Sequence, residues 1–174
     1  MKIRFLDLRQ VTEDQLRRWN SWLTPERRQR MEKYRDFRPH LCGEGLAREM
    51  LTEELGSLPQ GVMIGRNENG KPLTDGVFFN ISHSGDLVLC AVSDRPVGVD
   101  VERLRPVPAR LAERFGTNDP ETFFRLWTQM EARIKCRGVQ IDRWREYTKP
   151  LMDCREEIIP APEGYVASLC EKIQ

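Results

Sequence analysis

The sequence predicts an α+β protein of two similar-sized lobes that meet near Pro96. Helical apolar spacing alternates with short strand-like runs in both halves of the chain, so each half carries helices together with antiparallel strands. The chain is also long enough for a real core. At 174 residues, with 39% apolar and 32% charged side chains, surface scaling buries about 70% of the area an unfolded chain exposes. The composition excludes collagenous, disordered and coiled-coil classes.

Each element has a local reason. Lys2 to Leu8 alternates Ile3 and Phe5 against polar neighbours and reads as a strand. Thr12 caps a short helix carrying Leu16, Trp19 and Leu23 at helical spacing. Thr24-Pro25 places a hydroxyl at the next cap and proline at the first helical position, and that helix is expected to run to about Phe37. Pro39 opens a third helix, His40 to Leu55, stopped by Gly56. Strands follow at Val62 to Gly65, Val77 to Ser82, Leu87 to Ser93 and Pro96 to Leu104, with turns at Asn67 to Gly70 and Ser84 to Asp86. A short helix from Pro108 to Phe115 ends at Gly116. Asp119-Pro120 then opens a long helix that reaches about Arg137, with Gly138 beyond it. Arg155 to Ile159 and Tyr165 to Cys170 complete the strands.

Net charge is +1, but residues 1 to 50 carry 12 Lys and Arg against 8 Asp and Glu. The basic excess lies in Glu26 to Arg38, where six cations and three anions offer a docking surface for something anionic or a solvated helix face. No apolar run approaches the roughly 18 residues of a membrane span, and charges interrupt the amino-terminal stretch where a signal peptide needs its apolar centre. These features predict a cytoplasmic protein with no membrane partner. Without an aromatic-bearing RNA motif beside the basic stretch, no nucleic-acid partner is expected either. Five scattered cysteines with no Cys-x-x-Cys pair, and only two histidines, argue against a disulfide framework and a zinc knuckle.

Three groups of residues suggest chemistry. Asp100 and Glu102 share one face of a strand whose other face is Val97, Val99 and Val101. Oxygen-only ligands of this kind suit Mg²⁺; on the strand pattern alone, solvated surface charge is the simpler reading. Glu131 and Lys135 lie one turn apart on the flank of the stripe Phe123, Trp127, Met130 and Ile134, half sheltered at best, as an ordinary ion pair or as a metal ligand and phosphate clamp. Asn80 to Gly85 packs Ser82, His83 and Ser84 into what reads as a strand-to-turn junction able to bind an anion. Adjacent Ser82 and His83 cannot aim at each other on a strand, which disfavours a hydrolase dyad.

In order, Gly70-Lys71-Pro72, Phe79 to Gly85, Val97 to Glu102 and Trp127 to Lys135 resemble the signature blocks of the surfactin-synthetase-activating type of 4′-phosphopantetheinyl transferase, and the stretch Pro25 to Arg48 is similar too. The resemblance implies two α/β halves, 1–95 and a shortened 96–174, related by a pseudo-twofold axis with coenzyme A between them. It implies Mg²⁺-dependent transfer of the phosphopantetheine arm of coenzyme A to a serine of an acyl or peptidyl carrier protein, releasing adenosine 3′,5′-bisphosphate. Asp100, Glu102 and Glu131 would hold Mg²⁺, Glu131 would help deprotonate the serine, and Lys135 would neutralise phosphate charge. Ser82 and His83 would contact the phosphates, Gly70, Lys71 and Pro72 would lie by the adenine, and Arg27, Arg30 and His40 would bind the 3′-phosphate. A monomer is the default expectation for such a pseudo-repeat.

The family block reads Lys-Glu where this chain has Met130-Glu131, removing one cation unless a neighbour such as Arg133 supplies it. Two other readings stay open at this level: a non-catalytic relative that only binds coenzyme A or a carrier, and a Mg²⁺-dependent nucleotide phosphohydrolase.

Overall fold

Helix ends fall where the chain supplies partners for backbone groups that a helix leaves unpaired. The computed structural model describes residues 1–62, 64–66, 68–69, 71–74 and 76–173. After β1 (Lys2–Asp7), Thr12 and Gln15 form a reciprocal capping box at the start of α1 (Glu13–Ser21). Thr24 caps α2 (Pro25–Met31), and α3 (Arg38–Leu55) stops at Gly56 in the left-handed region. The short strands β2 (Gly65–Arg66) and β3 (Pro72–Leu73) pair with each other, and β4 (Phe78–Ser84) and β5 (Leu87–Ser93) form a hairpin. Then come β6 (Val97–Arg103), α4 (Ala109–Phe115) and α5 (Pro120–Arg137). Asp119 accepts from the Thr122 N–H to cap α5, and Gly138 ends it at φ +66°. The hairpin of β7 (Cys154–Ile159) and β8 (Tyr165–Lys172) closes the chain.

Among the described residues, two three-stranded antiparallel sheets have the orders β1-β5-β4 and β6-β8-β7. Both follow one plan: a first strand, an intervening 18-residue helix, then a hairpin whose second strand pairs with the first. The layers run helix, sheet, sheet, helix. Val88, Cys90 and Val92 on one face of β5 pack with α1 and α3 through Trp19, Leu46 and Met50, while Leu87, Leu89 and Ala91 on the other meet Val97, Val99 and Val101 of β6. This two-sided burial explains why β5 is an unbroken apolar run rather than an alternating one.

The second sheet is covered on its other face by α5. Their closest approach is at Gly98, where a β-carbon would lie 2.1 Å from the Ala132 carbonyl oxygen and 2.3 Å from the Cys136 nitrogen. Both neighbours are backbone and have nowhere to go, so only glycine lets the helix sit this low on the strand.

Two expected elements differ, and 3₁₀ segments appear that were not expected. α2 ends at Met31 rather than near Phe37, because Met31 is its only buried residue and the charged continuation has no apolar face to pack. Pro59–Gly61 forms a 3₁₀ turn, and the strand expected from Val62 is confined to Gly65–Arg66. Further 3₁₀ segments at Leu8–Gln10, after β1, and Ile141–Tyr147, after α5, fall where no helix was expected.

Gly98→Ala is expected to cost about 3 kcal/mol by overpacking, read as a lower urea midpoint with the denaturant slope unchanged. A midpoint equal to wild type would mean that α5 can lift off β6 without penalty.

Candidate functional site

The edges of the two sheets meet along β4 and β6, joined by side chains instead of a backbone ladder. Asn80 Oδ1 accepts from the Val99 N–H at 2.9 Å, Ser82 Oγ from Val101 at 3.3 Å and Ser84 Oγ from Arg103 at 3.2 Å. The period of two puts these three residues on the seam and sends His83 to the opposite face. Ser82 and His83 lie near the end of β4, on different sides of the strand, and the expected turn follows directly at Gly85.

On the seam side, Ser82 Oγ donates to Asp100 Oδ1 at 2.7 Å, and Lys135 Nζ donates to the same oxygen at 2.5 Å and to Ser82 Oγ at 3.1 Å. Glu131 lies 3.5 Å from Lys135 on the other side of the ammonium. Ser84 donates to Glu102 at 2.6 Å, and Arg105 pairs with the same carboxylate at 2.8 Å. Asp100 is only 3% exposed because α5 covers that face of β6, so the solvated-charge reading is wrong for Asp100, while Glu102 is partly buried and pairs with the exposed Arg105. Lys135 and Glu131 are likewise drawn inward, beyond the half-sheltered position their spacing suggested.

This burial sets the electrostatics. It pushes Asp100 above the usual carboxylate range, and the nearby Lys135 only partly offsets the shift. Glu131 is raised by burial and then by the charge of Asp100. Burial alone would lower Lys135, but Asp100 and Glu131 outweigh it and hold the ammonium above its ordinary value. One oxygen remains over: Asp100 Oδ2 is buried without a hydrogen-bond partner. Such a group is costly unless something else coordinates it. Lys135 Nζ is in ion-pair contact with both Asp100, at 2.5 Å, and Glu131, at 3.5 Å.

On the far face of β4, His83 meets His40 edge-to-face at 4.7 Å, and Tyr34 stacks on His40 at 3.8 Å. These rings, Arg27, Glu44 and Pro72 line a cavity of about 200 Å³. Pro72 also borders a second cavity of about 220 Å³, lined by Asn80, Lys71 and Lys135, so the two adjoin and run from Arg27 to Lys135. Burial lowers both histidines, His40 further through His83 and Arg27, and His83 through Lys135. Both imidazoles therefore stay neutral to lower pH than a free histidine.

Other predicted residues have fixed positions. Arg27 is tied by a 2.5 Å contact to Glu44, itself buried and 3.3 Å from Arg48. Arg30 is exposed on α2. Lys71 donates to the carbonyls of Lys135 at 2.6 Å, Val97 at 3.1 Å and Cys136 at 3.2 Å, so its ammonium caps the negative end of α5. Gly70 lies outside the described residues. Sequence reasoning missed Tyr34 and Glu44; the i,i+4 spacing of Glu44 and Arg48 within an otherwise apolar face of α3 was the available signal for the latter.

Arg133 does not supply the missing cation. Its guanidinium is buried and bonds Glu156 and the Tyr147 carbonyl, away from Asp100. Met130 packs with Ile134 and Tyr147 and is 1% exposed, so its side chain is core rather than part of the charged cluster.

The family model for the amino-terminal region of 4′-phosphopantetheinyl transferases matches residues 10–95. The chain is similar to 4′-phosphopantetheinyl transferase psf-1 of Bacillus pumilus, 36% identical over 79% of this chain and 69% of that one. It is 34% identical to the transferase gsp of Aneurinibacillus migulanus over 68% of this chain and 57% of the relative. With the transferase HetI of a Nostoc species it shares 33% identity over 78% and 63%. The matches thus span from 57% to 69% of the lengths of these relatives.

Because Asp100 and Glu131 titrate above their ordinary values of 3.8 and 4.5, the folded state holds their protons more tightly than the unfolded chain, and stability from them is lost as pH rises past those values. Lys135→Met raises both further. Its deficit is expected to reach about 3 kcal/mol near neutral pH and to shrink towards about pH 4 in urea titrations; equal deficits at both would exclude the coupling. Met130→Lys, in turn, buries an ammonium beside Ile134 and Tyr147 and is expected to cost about 2 kcal/mol or more, with no gain in the rate of any reaction at Asp100.

Proposed function

Since the chain belongs to the 4′-phosphopantetheinyl transferase family, we propose that it transfers the phosphopantetheine arm of coenzyme A to a serine of an acyl or peptidyl carrier protein, with Mg²⁺, releasing adenosine 3′,5′-bisphosphate. The observation that carries this reading is the buried group of Asp100, Ser82, Lys135 and Glu131 beside two adjoining cavities that reach Arg27 and the histidines. A pyrophosphate with a distant 3′-phosphate needs charge recognition at two separated points, and the chain offers both.

Mg²⁺ fits the donors present. They are hard carboxylate oxygens, among them the partnerless Oδ2 of Asp100, and Mg²⁺ takes one or two carboxylates plus waters and phosphate oxygens. Asp100, Glu102 and Glu131 would hold it. When bound, the ion supplies neutralisation of the charge that develops on the pyrophosphate oxygens.

The carrier serine oxygen forms a bond to the phosphorus that bears pantetheine, and the bond from that phosphorus to the oxygen of the bisphosphate breaks. Glu131, whose pKa is raised by burial and by the charge of Asp100, accepts the serine proton. Lys135 sits where its ammonium neutralises phosphate oxygens, and Ser82 fixes the Asp100 carboxylate. His83, His40 and Arg27, with Arg30 nearby on α2, form the anion-binding end; Pro72 borders both cavities and, with Lys71, would lie by the adenine. In this reading the lobes 1–95 and 96–174 are related by a pseudo-twofold axis, supported by their shared strand order, and the protein works as a cytoplasmic monomer.

Intact-mass spectrometry of an apo carrier protein incubated with the chain, coenzyme A and Mg²⁺ is expected to show the gain of one phosphopantetheine group, abolished by EDTA. Asp100→Asn should lower the rate by about 10²-fold or more with the fold retained. Free phosphopantetheine released without a carrier would favour a phosphohydrolase, and coenzyme A bound without turnover would favour a binding-only relative.

A further inference from the structure

The last turn of α5, the first residue of β7 and the inner face of β8 bring three cysteines together. The sulfurs of Cys136, Cys154 and Cys170 all lie within 4.8 Å of one another, and the residues are 4%, 9% and 0% exposed. Ala132 and Leu151 pack around them. The remaining cysteines, Cys42 and Cys90, are buried in the other lobe's core. Nothing in the proposed transfer uses the trio. A filler role would call only for small apolar groups, whereas here three thiols from three elements bring their sulfurs together, with Cys136 also donating to the Pro96 carbonyl at 3.3 Å and Cys154 to Asp153 at 3.8 Å.

We propose that Cys136, Cys154 and Cys170 form a three-thiolate site for a soft, thiophilic metal ion of the Cu(I) class. Thiolate sulfur selects soft ions over Mg²⁺. Sulfurs about 2.3 Å from a metal in a trigonal plane stand about 4 Å apart, a spacing the cluster reaches with small side-chain movements. Zn²⁺ in closed sites takes four ligands, and among the described residues no fourth His, Cys, Asp or Glu joins the group. Binding forms three metal–sulfur bonds and releases three protons, with no change of oxidation state. The resulting double negative charge faces two cations: Lys71, anchored on the Lys135 and Cys136 carbonyls, and Arg137, both of which act on Cys136. Occupancy would tie the end of α5, which carries Lys135, to both strands of the second hairpin. This inference does not depend on the transferase reading.

The test is an anaerobic titration of the reduced, full chain with Cu(I) against a chromophoric Cu(I) chelator. One equivalent per chain is expected to be withdrawn, with thiolate-to-metal absorption in the near ultraviolet. X-ray absorption on the wild-type protein should find a single shell of three sulfurs at about 2.3 Å. Cys154→Ser, at the most exposed of the three positions, should weaken binding by at least about a hundredfold in a chain that remains folded by circular dichroism. No withdrawal of Cu(I), a shell of two sulfurs or fewer, or undiminished binding by folded Cys154→Ser would overturn the site. Preferential uptake of Zn²⁺ with a fourth light-atom ligand would overturn the Cu(I) assignment.

Discussion

The seating of α5 on β6 at Gly98 governs the rest of the molecule. With any side chain at that position the helix would have to rise, and Lys135, adjacent to Cys136 in the contact, could not reach Asp100 at 2.5 Å. The same low seat covers the Asp100 face of the strand and removes the carboxylate from water. It also presents the carbonyls of Lys135 and Cys136 to the ammonium of Lys71. Steric absence at one residue thus produces burial, charge pairing and a helix cap together.

The seam between β4 and β6 is the second constraint. Edge strands carry unpaired backbone groups that invite aggregation, and here Asn80, Ser82 and Ser84 occupy the β6 N–H groups with side-chain oxygens. A ladder would have merged the sheets into one. The side-chain seam keeps β4 at a distance at which its own alternate residues serve two different surroundings: Ser82 with the buried ion pair, His83 with His40 and Tyr34. A buried anion with one unpartnered oxygen breaks the rule that buried polar groups are satisfied, and breaches of that rule concentrate where a protein binds or reacts.

Much of this was legible beforehand because it is local. The capping residues Thr12, Thr24 and Asp119 and the glycines at 56, 116 and 138 bounded their helices correctly, since the partners for a helix end lie within a few residues. α2 was overextended because its continuation is charged on every side, and whether such a segment stays helical depends on what it can pack against. The opposite faces of Val99 and Asp100 were also readable, because strand alternation is a property of the backbone.

By itself, then, the sequence determined the types and most of the ends of the elements, the mixture of helices with antiparallel strands and the identity of the charged residues in its ordered blocks. Only the tertiary structure decided which of those charges are buried and what they meet. Asp100 became an interior carboxylate because a helix thirty residues away lies across it, and Met130 and Arg133 went to the core side of that helix while Lys135 went to the carboxylates. The three cysteines, separated by 18 and 16 positions, meet because one helix end and two paired strands converge. Local propensity has no range over such separations; packing does, because each buried group takes its surroundings from whichever element covers it.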